Sequence, residues 1–415
     1  MKKQNALRVY LIVNFCMAIF YLMGHVVKSL YRIQSAGFSP LQLILVGTML
    51  EGTVFIFEIP TGIIADIRSR RLSVIIGMFI IGAAFILEGS VATFAMILLA
   101  QFLWGLGHTF TSGALDAWIS DEIGEGNAAQ AFVRGAKYSK IGSFVGIVLG
   151  ILLGYQYINI PITLSGVGFL ILGAYLVLKM PENGFKPAGI SQRSSWQNMK
   201  VTVHDALKMV RRRPALGDIL IIGLFFGLYS EGLDRFWQLH FLEQFTFDVI
   251  KPVLLFGAFE AVSMLVSAGA LSVIQTRIKL AGSQALIEAQ TWITAGMLLM
   301  FYAFTWIPSL IPALIAYMLL TLLREIRYPV YRGWVNHKLD SSVRATILSV
   351  SGQMDSLGQI SGGPAIGVIA ERYSVRTALT VSASLLLPVF FFFARQFKMD
   401  EDNTTDRQSQ QSLSK

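Results

Sequence analysis

The sequence predicts an all-α integral membrane protein: twelve transmembrane helices in two six-helix bundles related by a pseudo-two-fold repeat. Composition is the first reason. Of 415 residues, 54% are hydrophobic and only 14% are charged, with a mean hydropathy of +0.59, whereas a soluble domain carries roughly 25% charged residues. The second reason is patterning, since twelve apolar stretches approach or exceed the roughly 20 residues that a bilayer core requires of a helix. The third is a polar stretch at residues 180–213 that divides them six and six.

In order, the apolar stretches fall near residues 9–31, 41–66, 72–91, 93–119, 131–155, 159–179, 214–241, 250–276, 285–306, 310–331, 345–370 and 375–397. The first precedes further spans and has no small-residue cleavage site, so it is expected to be a retained helix rather than a signal peptide. The domains expected are an N-terminal bundle (1–180), a cytoplasmic linker (181–213), a C-terminal bundle (214–398) and a polar cytoplasmic tail (399–415). Within the linker, Trp196 to Val210 has the pattern of an interfacial helix.

Charge gives the orientation. If both termini share one face, that face's segments hold 26 of the 34 Lys and Arg, and such an excess marks the cytoplasmic side. The opposite face has Lys28, Arg32, Lys251, Arg372 and Arg376, while Arg235, Arg324 and Arg327 fall within spans. The net charge of +9 is explained by this asymmetry, and no nucleic-acid partner is expected. A single cysteine, Cys16, excludes an internal disulfide, and five scattered histidines show no metal-ligand spacing. No metal and no cofactor are expected.

The halves repeat. A shift of 209 residues places Glu51 on Glu260, Arg68 on Arg277 and Arg70 on Lys279; a shift of 216 places Trp118 on Trp334, Gly142 on Gly358 and Gly146 on Gly362. These pairings align the second span with the eighth, the fourth with the tenth and the fifth with the eleventh, as a parallel six-span duplication requires. Gly142, Gly146, Gly150 and Gly154 recur every four residues along the fifth span, laying down a bare stripe for close helix packing.

Ionisable groups within spans are costly unless paired or solvated, and so they mark function. Glu51 lies near the middle of the second span, Glu58 follows seven residues later on the same face, Glu260 is the repeat partner of Glu51, and Asp355 is similarly deep in the eleventh span. Each is a candidate for binding and releasing a proton from a water-filled cavity between the bundles. Glu231 and Arg235, four residues apart, can satisfy one another on one helix. Arg324, Glu325 and Arg327 are expected in a structural network at the inner end of the tenth span, and Asp116, Asp121 and Glu122 in pairings with nearby basic loops. Aromatics make up 12% of the chain. Tyr21, His25, Phe55, Trp104, His108, Phe226, Tyr229 and Trp237 are the candidate lining of a cavity suited to a bulky amphiphile or organic cation.

Residues 62–71, GIIADIRSRR, resemble the signature loop that links the second and third spans of the major facilitator superfamily. Gly62, Asp66, Arg70 and Arg71 match; Ile67 stands where a basic residue is usual, with Arg68 one place late, and Ser69 stands for a glycine. Gly62 would let a neighbouring helix approach closely. Asp66 ends its helix where the macrodipole disfavours an anion, so it needs a partner: an arginine of the hairpin, or backbone amides at the start of the eleventh span. The resemblance implies that Gly62, Asp66, Arg68, Arg70 and Arg71 form a conformational latch. In FEIPTGIIAD, DAWISDE and NHKLDSSVRATILS the chain is similar to the bacterial subgroup of macrolide- and tetracycline-type exporters. SGGPAIG resembles the antiporter motif but lies in the eleventh span, and Gln101 replaces the arginine that proton-coupled exporters carry before Gly105.

The resemblance thus implies a monomeric drug:proton antiporter of the bacterial inner membrane, with small-molecule substrate, protons and lipid bilayer as partners. The alternatives are a proton-coupled symporter taking up an organic solute and a non-transporting membrane sensor. With neither a catalytic dyad nor a metal cluster in the sequence, an enzyme is not expected.

Overall fold

The computed structural model describes residues 2–187, 214–247, 250–278, 282–338 and 341–399. The linker helix expected at Trp196 to Val210 and nearly all of the tail lie outside the described residues. Among the described residues all regular elements are helices: α1 (Lys2–Leu30, prolonged by a π-helical turn, Tyr31–Ser35), α2 (Pro40–Ile67), α3 (Arg70–Ser90), α4 (Phe94–Thr111), α5 (Ala114–Ile123), α6 (Glu125–Gly154) and α7 (Ile160–Lys179), then α8 (Pro214–Gln244), α9 (Pro252–Ile278), α10 (Ser283–Trp306), α11 (Leu310–Lys338), α12 (Ser341–Arg372) and α13 (Val375–Ser384), which resumes after a turn at 385–386 and runs to residue 399. These make twelve spans, because α4 and α5 together form the fourth. Gly113, at φ +70°, divides that span, a backbone region glycine enters without a Cβ penalty. Nine of the spans among the described residues are long and apolar enough by themselves to cross a membrane.

Local chemistry starts the helices where expected. Ser39 caps α2 in a reciprocal capping box with Gln42, and Pro40 takes the first position. Ser69 caps α3 by accepting from the Leu72 N–H at 2.8 Å.

The chain divides into two compact units, Met1–Lys200 with Phe247–Ala261 and Val201–Thr246 with Val262–Lys415. In the first, α1 lies against α6, and α3 against α4 and α7. The glycine stripe makes the α1–α6 seam: a Cβ at Gly142 would strike the Phe15 carbonyl oxygen, one at Gly146 would lie 2.5 Å from that of Ile19, and one at Gly150 would lie 2.5 Å from that of Met23. Backbone meets backbone here, which supplies dispersion contacts where lipid tails weaken any hydrophobic drive between helices. The second unit repeats the device. Gly358 of α12 lies against the Leu224 carbonyl and Gly362 against Leu228 of α8, so the pairs 142–15 and 146–19 recur as 358–224 and 362–228.

Candidate functional site

Three polar sites stand in these apolar bundles. The first is a cavity of about 580 Å³ in the first unit, walled by Tyr21 of α1, Glu51 of α2, and Trp104 and His108 of α4. Trp104 and His108 share a face of α4 because they are four residues apart. The Tyr21 ring stacks on His25 at 5.2 Å and leans on Trp104 at 5.7 Å. His25 itself is exposed and lies behind Tyr21, off the cavity wall. Phe55 and Glu58 are also exposed and do not line it. Shared helical face is not shared depth: Glu58 lies two turns, about 10 Å, beyond Glu51, whereas α2 contributes only Leu50, Glu51 and Val54 to the wall.

Next to this cavity is a buried ion cluster that sequence reading missed. Glu88 of α3 is 1% exposed, and Lys28 and Arg32 are 3% and 5% exposed. Arg32 donates from Nε (2.9 Å) and Nη2 (2.6 Å) to Glu88 Oε1. Oε2 takes Lys28 Nζ at 3.0 Å and the Gln101 amide at 2.9 Å. The Lys28 ammonium also lies 3.4 Å from the centroid of the Phe85 ring and 4.4 Å from that of Trp104, a cation–π seat. Lys28 and Arg32 are therefore packed among the helices: α1 and its π turn carry them, and Glu88 neutralises one of the two charges. The cluster also accounts for Gln101. Two cations already share one carboxylate, so a neutral donor fits where an arginine would add a third.

The second unit holds a cavity of about 470 Å³ between α8, α11 and α12, lined by Phe226, Arg327, Tyr331, Arg332, Ser351 and Asp355 among others. Gly223 and Gly227 let α8 lie against the Ser351 and Asp355 carbonyls, which brings Phe226 to the wall. Tyr229 and Trp237 do not reach it. They are buried in an aromatic core, Tyr229 against Phe301 and Trp237 stacked on Tyr317 at 4.8 Å. Asp355 lines the cavity and accepts from Gln359 at 2.8 Å; Glu260, half-buried on α9, lines neither cavity. Glu231 and Arg235 pair at 3.1 Å as their spacing implies, and Arg324 binds both oxygens of Asp234. Arg327 is not part of that network; its guanidinium lies 3.6 Å from the Phe226 ring centroid.

The third site is the α2–α3 hairpin. Asp66 finds an arginine of the hairpin, Arg70, at 3.4 Å, but Arg70 binds Asp121 of α5 more closely, at 2.5 Å, and donates to the Ala117 carbonyl. Glu182 closes the other side, accepting from Ser69 Oγ at 2.7 Å and the Arg71 N–H at 2.9 Å. Of the nearby acids, Asp116 accepts from Tyr10 and Glu122 from the backbone of Asn183 and Gly184, so among the described residues neither pairs with a basic loop. Arg68 is exposed. Gly62 is not a close-approach position: a Cβ there would meet no atom within 4 Å, because that face of α2 has no helix against it among the described residues.

Comparison with known proteins agrees with this architecture. A sequence model of the Major Facilitator Superfamily matches residues 9–323. An uncharacterized MFS-type transporter, YxaM of Bacillus subtilis (strain 168), is 23% identical over 359 residues, 85% of this chain and 86% of that protein. The crystal structure of the nucleoside transporter NupG superposes with a TM-score of 0.75 at 15% identity, over 96% of this chain and 100% of that one. The peptide transporter POT in complex with sulfate gives 0.74 at 12% identity, over 96% and 94%. A chain that folds as two bundles with a cavity in each, and that matches the family over most of its length, is a multi-pass membrane transporter of small molecules and not an enzyme; it belongs to the Major Facilitator Superfamily.

Proposed function

We propose that the protein exports amphiphilic organic compounds from the bacterial cell across the inner membrane in exchange for protons, by alternating access, as a monomer of two six-helix bundles (1–180 and 214–398) with cytoplasmic termini. One observation carries the reading: Glu51 shares a cavity wall with Tyr21 and Trp104. An apolar solute on those rings and a proton on that carboxylate compete for the same space, and displacement of one by the other is what exchange requires.

Reconstituted vesicles with an imposed proton gradient and a panel of lipophilic dyes and antibiotics test it. Dye is expected to move uphill against the proton flow. Movement along with the protons overturns export in favour of uptake by symport, a second reading favoured by the charged lining of the α8–α11–α12 cavity. Glu51→Gln is expected to abolish uphill movement while downhill exchange persists, and unimpaired pumping removes Glu51 from the mechanism. Glu58, Glu260 and Asp355 are the remaining candidates for the coupling proton.

In the same reading, Gly62, Asp66, Arg68, Arg70 and Arg71 act as a latch that holds the outward-open state, with Asp66 and Arg70 forming its ion pair. Asp66→Ala is expected to shift accessibility toward the cytoplasm, and Arg70→Ala to shift it further because that change releases Asp121 as well. Labelling of single cysteines on the two faces, in a Cys16→Ser background, reads this directly; equal labelling in variants and parent eliminates the latch.

A further inference from the structure

We infer that Arg327, with Arg332 beside it, binds an acidic group (a carboxylate or a phosphate ester) of the transported solute. The inference rests on the transport reading and narrows its substrate class. Of the arginines deep in the apolar helices of the second unit, Arg235 is engaged by Glu231 and Arg324 by Asp234. Arg327 forms no ion pair among the described residues, and its Nε is buried without a hydrogen-bond partner. Its contact with Phe226 engages the guanidinium carbon at 3.6 Å and leaves the N–H fork unspent. A guanidinium held within the membrane is costly unless an anion or water meets it.

The surroundings specify the sign. Arg332 lines the same cavity with its guanidinium 5.6 Å from the Tyr328 ring, and it too has no ion pair among the described residues. Asp355, whose Oδ2 is held by Gln359, is the single carboxylate of the lining among the described residues. Among the described residues two cations face one anion, so this part of the wall carries an uncompensated positive charge. Tyr331 is fixed to the Ile219 carbonyl and Ser351 at 3.1 Å, which gives the arginines a rigid neighbour. A space of about 470 Å³ is of small-ligand size, and a planar fork is suited to bidentate recognition of carboxylate or phosphate. The aromatic composition of the chain points to a bulky amphiphile or an organic cation; the charge at this wall favours an amphiphile that carries an acidic group.

The test needs no gradient, so its failure leaves the coupling role of Glu51 untouched, and failed pumping leaves this site standing. The purified full chain in detergent is treated with phenylglyoxal and its arginines mapped by mass spectrometry. Arg327 should react while Arg235 and Arg324 resist. Saturating indole-3-acetate, benzoate or 1-naphthyl phosphate should slow its modification about tenfold or more, whereas indole-3-acetamide, benzamide and 1-naphthol should not. Protection by no acid of this set, or equal protection by the neutral partners, overturns the proposal. Protection by phosphatidylglycerol micelles but not by soluble acids assigns the site to lipid instead and likewise overturns it. Arg327→Gln should weaken calorimetric binding of the protecting acid about 10- to 100-fold, with Arg327→Lys intermediate. If Arg327→Gln does not fold, protection on the parent protein decides.

Discussion

Glu88→Ala is expected to remove most of the folded protein. The side chain is 1% exposed, and its two oxygens receive Arg32, Lys28 and Gln101 within 3.0 Å. Without it, two buried cations remain side by side. Breaking a buried pair from one side costs roughly 3–5 kcal/mol, a large share of the roughly 5–15 kcal/mol that holds a typical protein folded. Yield of monodisperse protein and the intrinsic-fluorescence melting temperature should both collapse. A contrasting variant separates pair breaking from general damage: Lys28→Met, Arg32→Leu, Glu88→Leu and Gln101→Leu together remove every member, and apolar replacement of a whole buried cluster is often neutral or stabilising. A Glu88→Ala protein that melts like the parent refutes the cluster as a structural keystone.

Gly146→Leu should be nearly as damaging for a different reason. A Cβ at this position would lie 2.5 Å from the Ile19 carbonyl oxygen. The obstacle is backbone, so no rotamer change relieves it, and the α6 axis must retreat from α1 along the whole seam. Overpacking of this kind typically costs about 1–3 kcal/mol and more when the backbone must move. Gly146→Ala should lower the melting temperature and Gly146→Leu should yield little folded protein. Gly62→Ala is the control: open space surrounds its position, and its melting should stay within about 0.5 kcal/mol of the parent. Equal tolerance at the two glycines counts against the seam.

The contrast between these sites shows what linear sequence reveals. Span positions were readable because a bilayer demands an apolar length that few other environments require. The α1–α6 seam was readable from the four-residue recurrence of glycine, and the Glu231–Arg235 pair from its i,i+4 spacing. Glu51 stood out as an acid near the middle of an apolar run, and it does line a cavity. The Glu88 cluster was hidden because its cations come from a helix 56 to 60 positions earlier in the chain, at a span end where positive charge is usually assigned to a loop. The Arg324–Asp234 pair spans 90 positions and was hidden for the same reason. Aromatic identity was the weakest guide. Tyr21 and Trp104 face open space while Tyr229 and Trp237 face packed rings, and nothing local distinguishes them, because the side chains that decide lie on other helices. At Glu58 periodicity fixes azimuth but not the length of the wall.

The glycine seam has a mechanical consequence. Where two main chains touch with no side chains between them, neither helix can slide or roll past the other without collision, so α1 with α6, and α8 with α12, behave as welded double struts. Any shape change the protein undergoes must therefore be absorbed at its joints, such as the kinked Gly113 elbow and the Gly124 bend, whose positive φ angles already place them at tight corners.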